Sequence, residues 1–72
     1  MTPSLLREAG EALYGSSSWR TEMARALNVS ERTVRRWAAG EFQIPAGVWP
    51  ELRELLKARS LVLANVRRRL PR

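Results

Sequence analysis

Apolar residues recur at helical spacing along nearly the whole chain, the signature of amphipathic helices rather than strands. Thr2 followed by Pro3 reads as an N-cap and a first helical residue. Leu5, Leu6, Ala9, Ala12 and Leu13 then repeat on one face, and Gly15 supplies a left-handed stop. Gly10 lies inside this helix and is either a weak point or a place of close helix approach. Ser16, Ser17 and Ser18 offer caps for a second helix from about Trp19 to Leu27, with Trp19, Met23, Ala26 and Leu27 on one side. Asn28 and Val29 make a turn, because Asn tolerates left-handed dihedrals better than most residues. Ser30 caps a third helix, with Glu31 in its positive first turn, and Gly40 ends it.

Phe42 to Pro50 reads as a linker, with Pro45, Gly47 and Pro50 and room for one helical turn around Ala46–Trp49. From Pro50 the pattern is helical again to about Leu70, unless Ser60 divides it. Leu52, Leu55, Leu56, Val62, Leu63, Val66 and Leu70 share a stripe. Leu52, Leu56, Arg59, Leu63, Val66 and Leu70 step alternately by four and three, a heptad-like seam interrupted by Arg59. No segment alternates with a period of two. The expectation is one all-α domain spanning 1–72, with a core over 3–56, a C-terminal helix over 57–70 and a tail at 71–72.

Composition narrows the chemistry. Cysteine and histidine are both absent, so a zinc finger, a Cys or Ser–His hydrolase and a Cys/His redox site are excluded. Glu is the only acid type, and no Glu pair is backed by a nucleophile or ligand set. No catalytic residue, metal ligand or cofactor is therefore expected. No apolar run reaches the roughly 18–20 residues of a membrane span. Met1 to Ser4 lacks the basic start of a secretory leader, so the expected location is cytoplasmic and nucleoid-associated. The net charge of +6 is uneven. Residues 19–40 carry +3 and residues 57–72 carry +6, with the blocks 1–18 at −1 and 41–56 at −2. All but one of the basic residues are Arg, the side chain that reads phosphates and base edges with a planar fork.

The most informative stretch runs from Arg20 to Gly40: two short helices joined by a tight turn. Ala24 is small enough to let the second helix cross closely, and Leu27, Val29, Val34 and Trp37 fill the angle. This combination resembles the helix-turn-helix of the phage repressor and Cro superfamily over roughly residues 5–56. Two positions depart from the family pattern: Asn28 where Gly is common, and Arg20-Thr21 where many members place a Gln. The resemblance implies a lambda-repressor-like, compact four- to five-helix bundle with a long C-terminal helix. It also implies that the helix after Ser30 enters the major groove of DNA. The small size and absence of an effector domain look like the autorepressors of phage and mobile-element operons, the anti-CRISPR-associated regulators among them.

On that helix Val34, Trp37 and Ala38 define a buried face at 100° per residue. Arg32 and Arg36 lie opposite, flanked by Arg35 and Thr33, and these four are the expected base readers. An Arg guanidinium donates a matched pair of hydrogen bonds to guanine O6 and N7. The plainer alternative is a solvated face. Ser17, Ser18, Arg20 and Thr21, at the start of the second helix, are expected on phosphate, where free N–H groups and the helix dipole favour anions. Gln43 is added because family members often touch the backbone there. Glu31 is either a cytosine acceptor or a complement to the helix dipole, with the dipole favoured.

A monomer reads few base pairs, so the resemblance implies a homodimer on double-stranded DNA carrying an inverted repeat. Leu63, Val66 and Leu70 are expected to form its interface. Trp49 is assigned there too, with the core as its alternative. The Arg67–Arg69 run is a solubilising tail, a set of phosphate contacts or a partner for acids on a second chain. Two other functions compete. One is an antitoxin-like or recruitment module without strong sequence preference. The other is a membrane-surface or partner-binding peptide built on the basic C-terminal helix.

Overall fold

The computed structural model describes residues 2–71, so of the tail expected at 71–72 only Pro71 is covered. Four helices follow one another: α1 Pro3–Tyr14, α2 Trp19–Leu27, α3 Glu31–Ala38 and α4 Val48–Arg69. There is no strand among the described residues. The ends of α1 and α3 follow from local chemistry. Thr2 Oγ1 accepts from the Leu5 N–H at 3.2 Å, and Pro3 occupies the first helical position, where no N–H is needed. Gly15 at φ 86° donates its N–H to the Glu11 carbonyl at 2.9 Å. Ser30 Oγ accepts from the Thr33 N–H at 3.1 Å.

α2 and α3 close in the same way. Asn28 sits in the left-handed region at φ 58° and Gly40 at φ 77°. Behind Asn28, the Val29 N–H donates to the Ala24 carbonyl at 2.9 Å, and Asn28 itself donates to Arg25 at 3.3 Å. Behind Gly40, the Glu41 N–H donates to the Arg36 carbonyl at 3.0 Å, and Gly40 donates to Trp37 at 3.1 Å. Both are Schellman closures, which satisfy carbonyls the helix would otherwise leave open.

Three sequence expectations about the elements are corrected. The turn around Ala46–Trp49 is not a separate helix. The Val48 and Trp49 N–H groups donate to Pro45 and Ala46, and this turn runs straight into α4 two residues ahead of Pro50. Proline is tolerated in a first turn because its missing N–H has no intrahelical acceptor there. Ser60 does not divide α4, which is continuous for 22 residues, about 33 Å at 1.5 Å per residue. Ser18 leads into α2 without a side-chain cap hydrogen bond.

The core is built from Leu6, Ala9 and Leu13 of α1, Trp19, Met23 and Ala24 of α2, and Val34 and Trp37 of α3. Ile44, Val48 and Leu52 close it from the C-terminal side. Gly10 is a place of close approach: a Cβ there would stand 2.7 Å from Cδ2 of the buried Trp19 indole. Leu5, Ala12 and Ala26, which share the apolar spacing, are exposed. Each helix is narrow enough that only one strip of residues reaches the centre. The N-terminal part of α4 packs on α1. Beyond Leu56 every described residue except Ala64 is exposed, and the molecule measures 46 × 23 × 20 Å.

Candidate nucleic-acid interface

α3 is positioned by two anchors one turn apart. Val34 is fully buried and Trp37 nearly so, which ties the inner face of the helix to α1 and α2. The outer face then follows from helical geometry. Arg32 and Arg35 are exposed, while Arg36 and Thr33 are half-buried. The three guanidinium groups are held differently. Arg35 Nη2 lies 2.6 Å from Glu31 Oε1, an exposed pair one turn apart. Arg36 lies over Phe42, its guanidinium carbon 4.9 Å from the ring centre, within cation–π range. Arg32 has no acidic partner among the described residues. The Thr33 hydroxyl lies 2.8 Å from Ser30 Oγ, so it is already engaged in the cap of its own helix. Glu31 serves both the helix dipole and Arg35 in this geometry.

The residues expected on phosphate fall into two places. Ser17, Ser18 and Thr21 are exposed around the first turn of α2. Arg20 is half-buried and lies over the Trp19 ring at 4.8 Å. It lines a small cleft of about 130 Å³ with Pro3, Ser4, Arg7 and Ala38. Arg7 was not singled out from the sequence, because it sits in an acidic block and carries no motif signal. The fold brings it beside Arg20 at the end of α3. Gln43 is exposed in a second, larger cleft of about 510 Å³, shared with Pro3, Gly40, Phe42, Ile44 and Trp49. Phe42 was also missed by sequence reasoning. It opens the stretch read as a linker and carries no motif signal; in the fold Phe42 is 52% exposed, and nearby Ile44 takes the buried place.

The residues assigned to an interface between copies do not all lie together. Leu63, Val66 and Leu70 are 57%, 40% and 64% exposed on the projecting end of α4. Beside them runs a groove of about 400 Å³ lined by Ala12, Leu56, Arg59, Leu63, Ala64 and Arg67. Trp49 stands 14 residues before Leu63, about 21 Å along the helix. It is half-buried against the core and faces the cleft near Phe42, so it does not belong to that stripe. No helix among the described residues is long and apolar enough to cross a membrane. No protein-family model, curated protein or solved structure matches this chain.

Proposed function

We propose that this chain is a sequence-specific regulator of transcription. In this reading it is a homodimeric repressor of the phage repressor and Cro-like helix-turn-helix type, bound to an inverted repeat in double-stranded DNA. α2, the Asn28 turn and α3 form the DNA-reading unit, with α3 in the major groove. One observation carries the reading. A helix anchored by Val34 and Trp37 turns three Arg side chains away from the core, on a chain of net charge +6. Arg32, Arg35 and Arg36 meet base edges, with Thr33 beside them. Arg20 with Arg7, and the hydroxyls of Ser17, Ser18 and Thr21, meet the phosphates. The apolar stripe of Leu63, Val66 and Leu70 pairs two copies, so that two half-sites are read about one helical turn (~34 Å) apart.

Selection on random duplex DNA tests this directly, and the expected product is one enriched inverted repeat. Binding to it should weaken steeply with salt, because each Arg–phosphate contact releases counterions. Arg32→Ala should cost about 1–3 kcal/mol on the selected site and relax preference at one or two base pairs. Enrichment of no sequence, with binding still strongly salt-dependent, favours the second reading of a recruitment module without sequence preference. The uncovered end of α4 supports that second reading equally well.

A further inference from the structure

We propose that Phe42 is a positioning residue for Arg36: its ring holds the guanidinium so that the donor edge, rather than the face, is offered to a base pair. This rests on the reading of α3 as the base-reading helix. The Schellman closure at Gly40 folds the chain back along α3, and the Arg36 carbonyl accepts from the Glu41 N–H at 3.0 Å and the Phe42 N–H at 3.5 Å. That turn delivers the Phe42 ring to the Arg36 guanidinium, 4.9 Å from centroid to carbon. Phe42 is too exposed to serve as core, and a large aromatic left half in water at the end of a basic helix is otherwise unexplained.

Stacking suits this task chemically. The five N–H donors of Arg lie in the plane of the guanidinium, so a ring covering the face leaves every donor free. An ion pair, as at Arg35 with Glu31, uses one donor edge instead. A long side chain that is already held also loses less freedom when it docks, which favours the matched base over the mismatched one. The gain therefore falls on discrimination at the one position that Arg36 reads, and not on phosphate binding elsewhere.

The test is a double-mutant cycle read on the selected duplex and on the same duplex changed at the base pair that Arg36→Ala relaxes. Phe42→Leu is expected to lower discrimination at that pair by about 2- to 5-fold, the scale of an exposed cation–π contact. It should leave the melting temperature and the affinity for random DNA at parent levels. Phe42→Tyr and Phe42→Trp should retain the parent discrimination. In the Arg36→Ala background, Phe42→Leu should have no further effect. The Arg36 side-chain NMR resonances of the free protein should lose their ring-current shift in Phe42→Leu. A loss spread over all base pairs, or an equal loss without Arg36, overturns the inference and leaves the DNA reading intact. A parent protein that enriches no duplex overturns both.

Discussion

A methyl group added at Gly10 would overlap the Trp19 indole, and that ring has no route outward because it is 1% exposed. Alanine is the better helix former by up to about 1 kcal/mol. The overlap opposes this with the roughly 1–3 kcal/mol of an overpacked core. Gly10→Ala should therefore lower the melting temperature, by several degrees for a domain of this size. Thermal unfolding followed by circular dichroism decides it, and a variant as stable as the parent would mean that the α1–α2 crossing opens to admit the methyl group. Tyr14 offers a second test at this scale. Burial raises its phenol above the ordinary value of 10.0, the Glu22 carboxylate raises it further, and Arg59 opposes both. A raised pKa in the folded state means that the folded protein keeps its proton when the unfolded chain has lost it. Stability from this group is therefore complete below about pH 10 and drains away as pH climbs through the folded value. Urea midpoints at pH 8.5 and pH 11 should fall further apart in the parent than in Tyr14→Phe.

At the scale of elements, α1 to α3 were readable because their ends are set by neighbours in sequence. A threonine three residues ahead of an N–H, or an Asn and a Gly placed where φ must be positive, act whatever the rest of the fold does. Asn28→Gly should be nearly neutral, since either residue accepts the left-handed turn. Asn28→Ala should cost about 1 kcal/mol, because a Cβ penalises that conformation. Denaturant midpoints would separate the two, and an Ala variant equal to Gly would show that the turn adapts. α4 starts two residues ahead of Pro50, the familiar helix start from which the sequence predicts it. Two turn hydrogen bonds, from the Val48 and Trp49 N–H groups to the Pro45 and Ala46 carbonyls, extend the helix ahead of it. Ser18 precedes α2 without capping it for a related reason. A hydroxyl's position alone does not say whether it turns toward the helix.

Across the whole molecule, α4 divides into a half that completes the core and a half that leaves it. Val48 and Leu52 are buried, whereas Leu61, Val62, Leu63, Val66 and Leu70 are in water. Scattered exposed leucines are ordinary, but a run continuing a buried stripe marks a surface that another chain can cover. Leu63→Glu with Val66→Glu should give a monomer in sedimentation at micromolar concentration. The same variant should lose binding to the full repeat while keeping the helicity of residues 3–56. A parent that sediments as a monomer yet fills both half-sites would place pairing on the DNA alone. A parent that neither pairs nor fills both sites would remove the dimer.

The sequence by itself determined the helical class, the two tight closures and the polarity of α3, because caps, turn residues and period act over three or four neighbours. It excluded Cys and His chemistry outright by composition. Only the tertiary structure decided which apolar residues were left outside. Leu5 and Ala26 have the spacing of core residues but stay exposed, while Gly10 looks like a defect and is a contact. Tertiary structure also put Arg7 beside Arg20, and the chain reversal after α3 put Phe42 under Arg36. Such pairings depend on how helices cross and where the chain doubles back. Side-chain periodicity describes one helix at a time and carries no information about its neighbour.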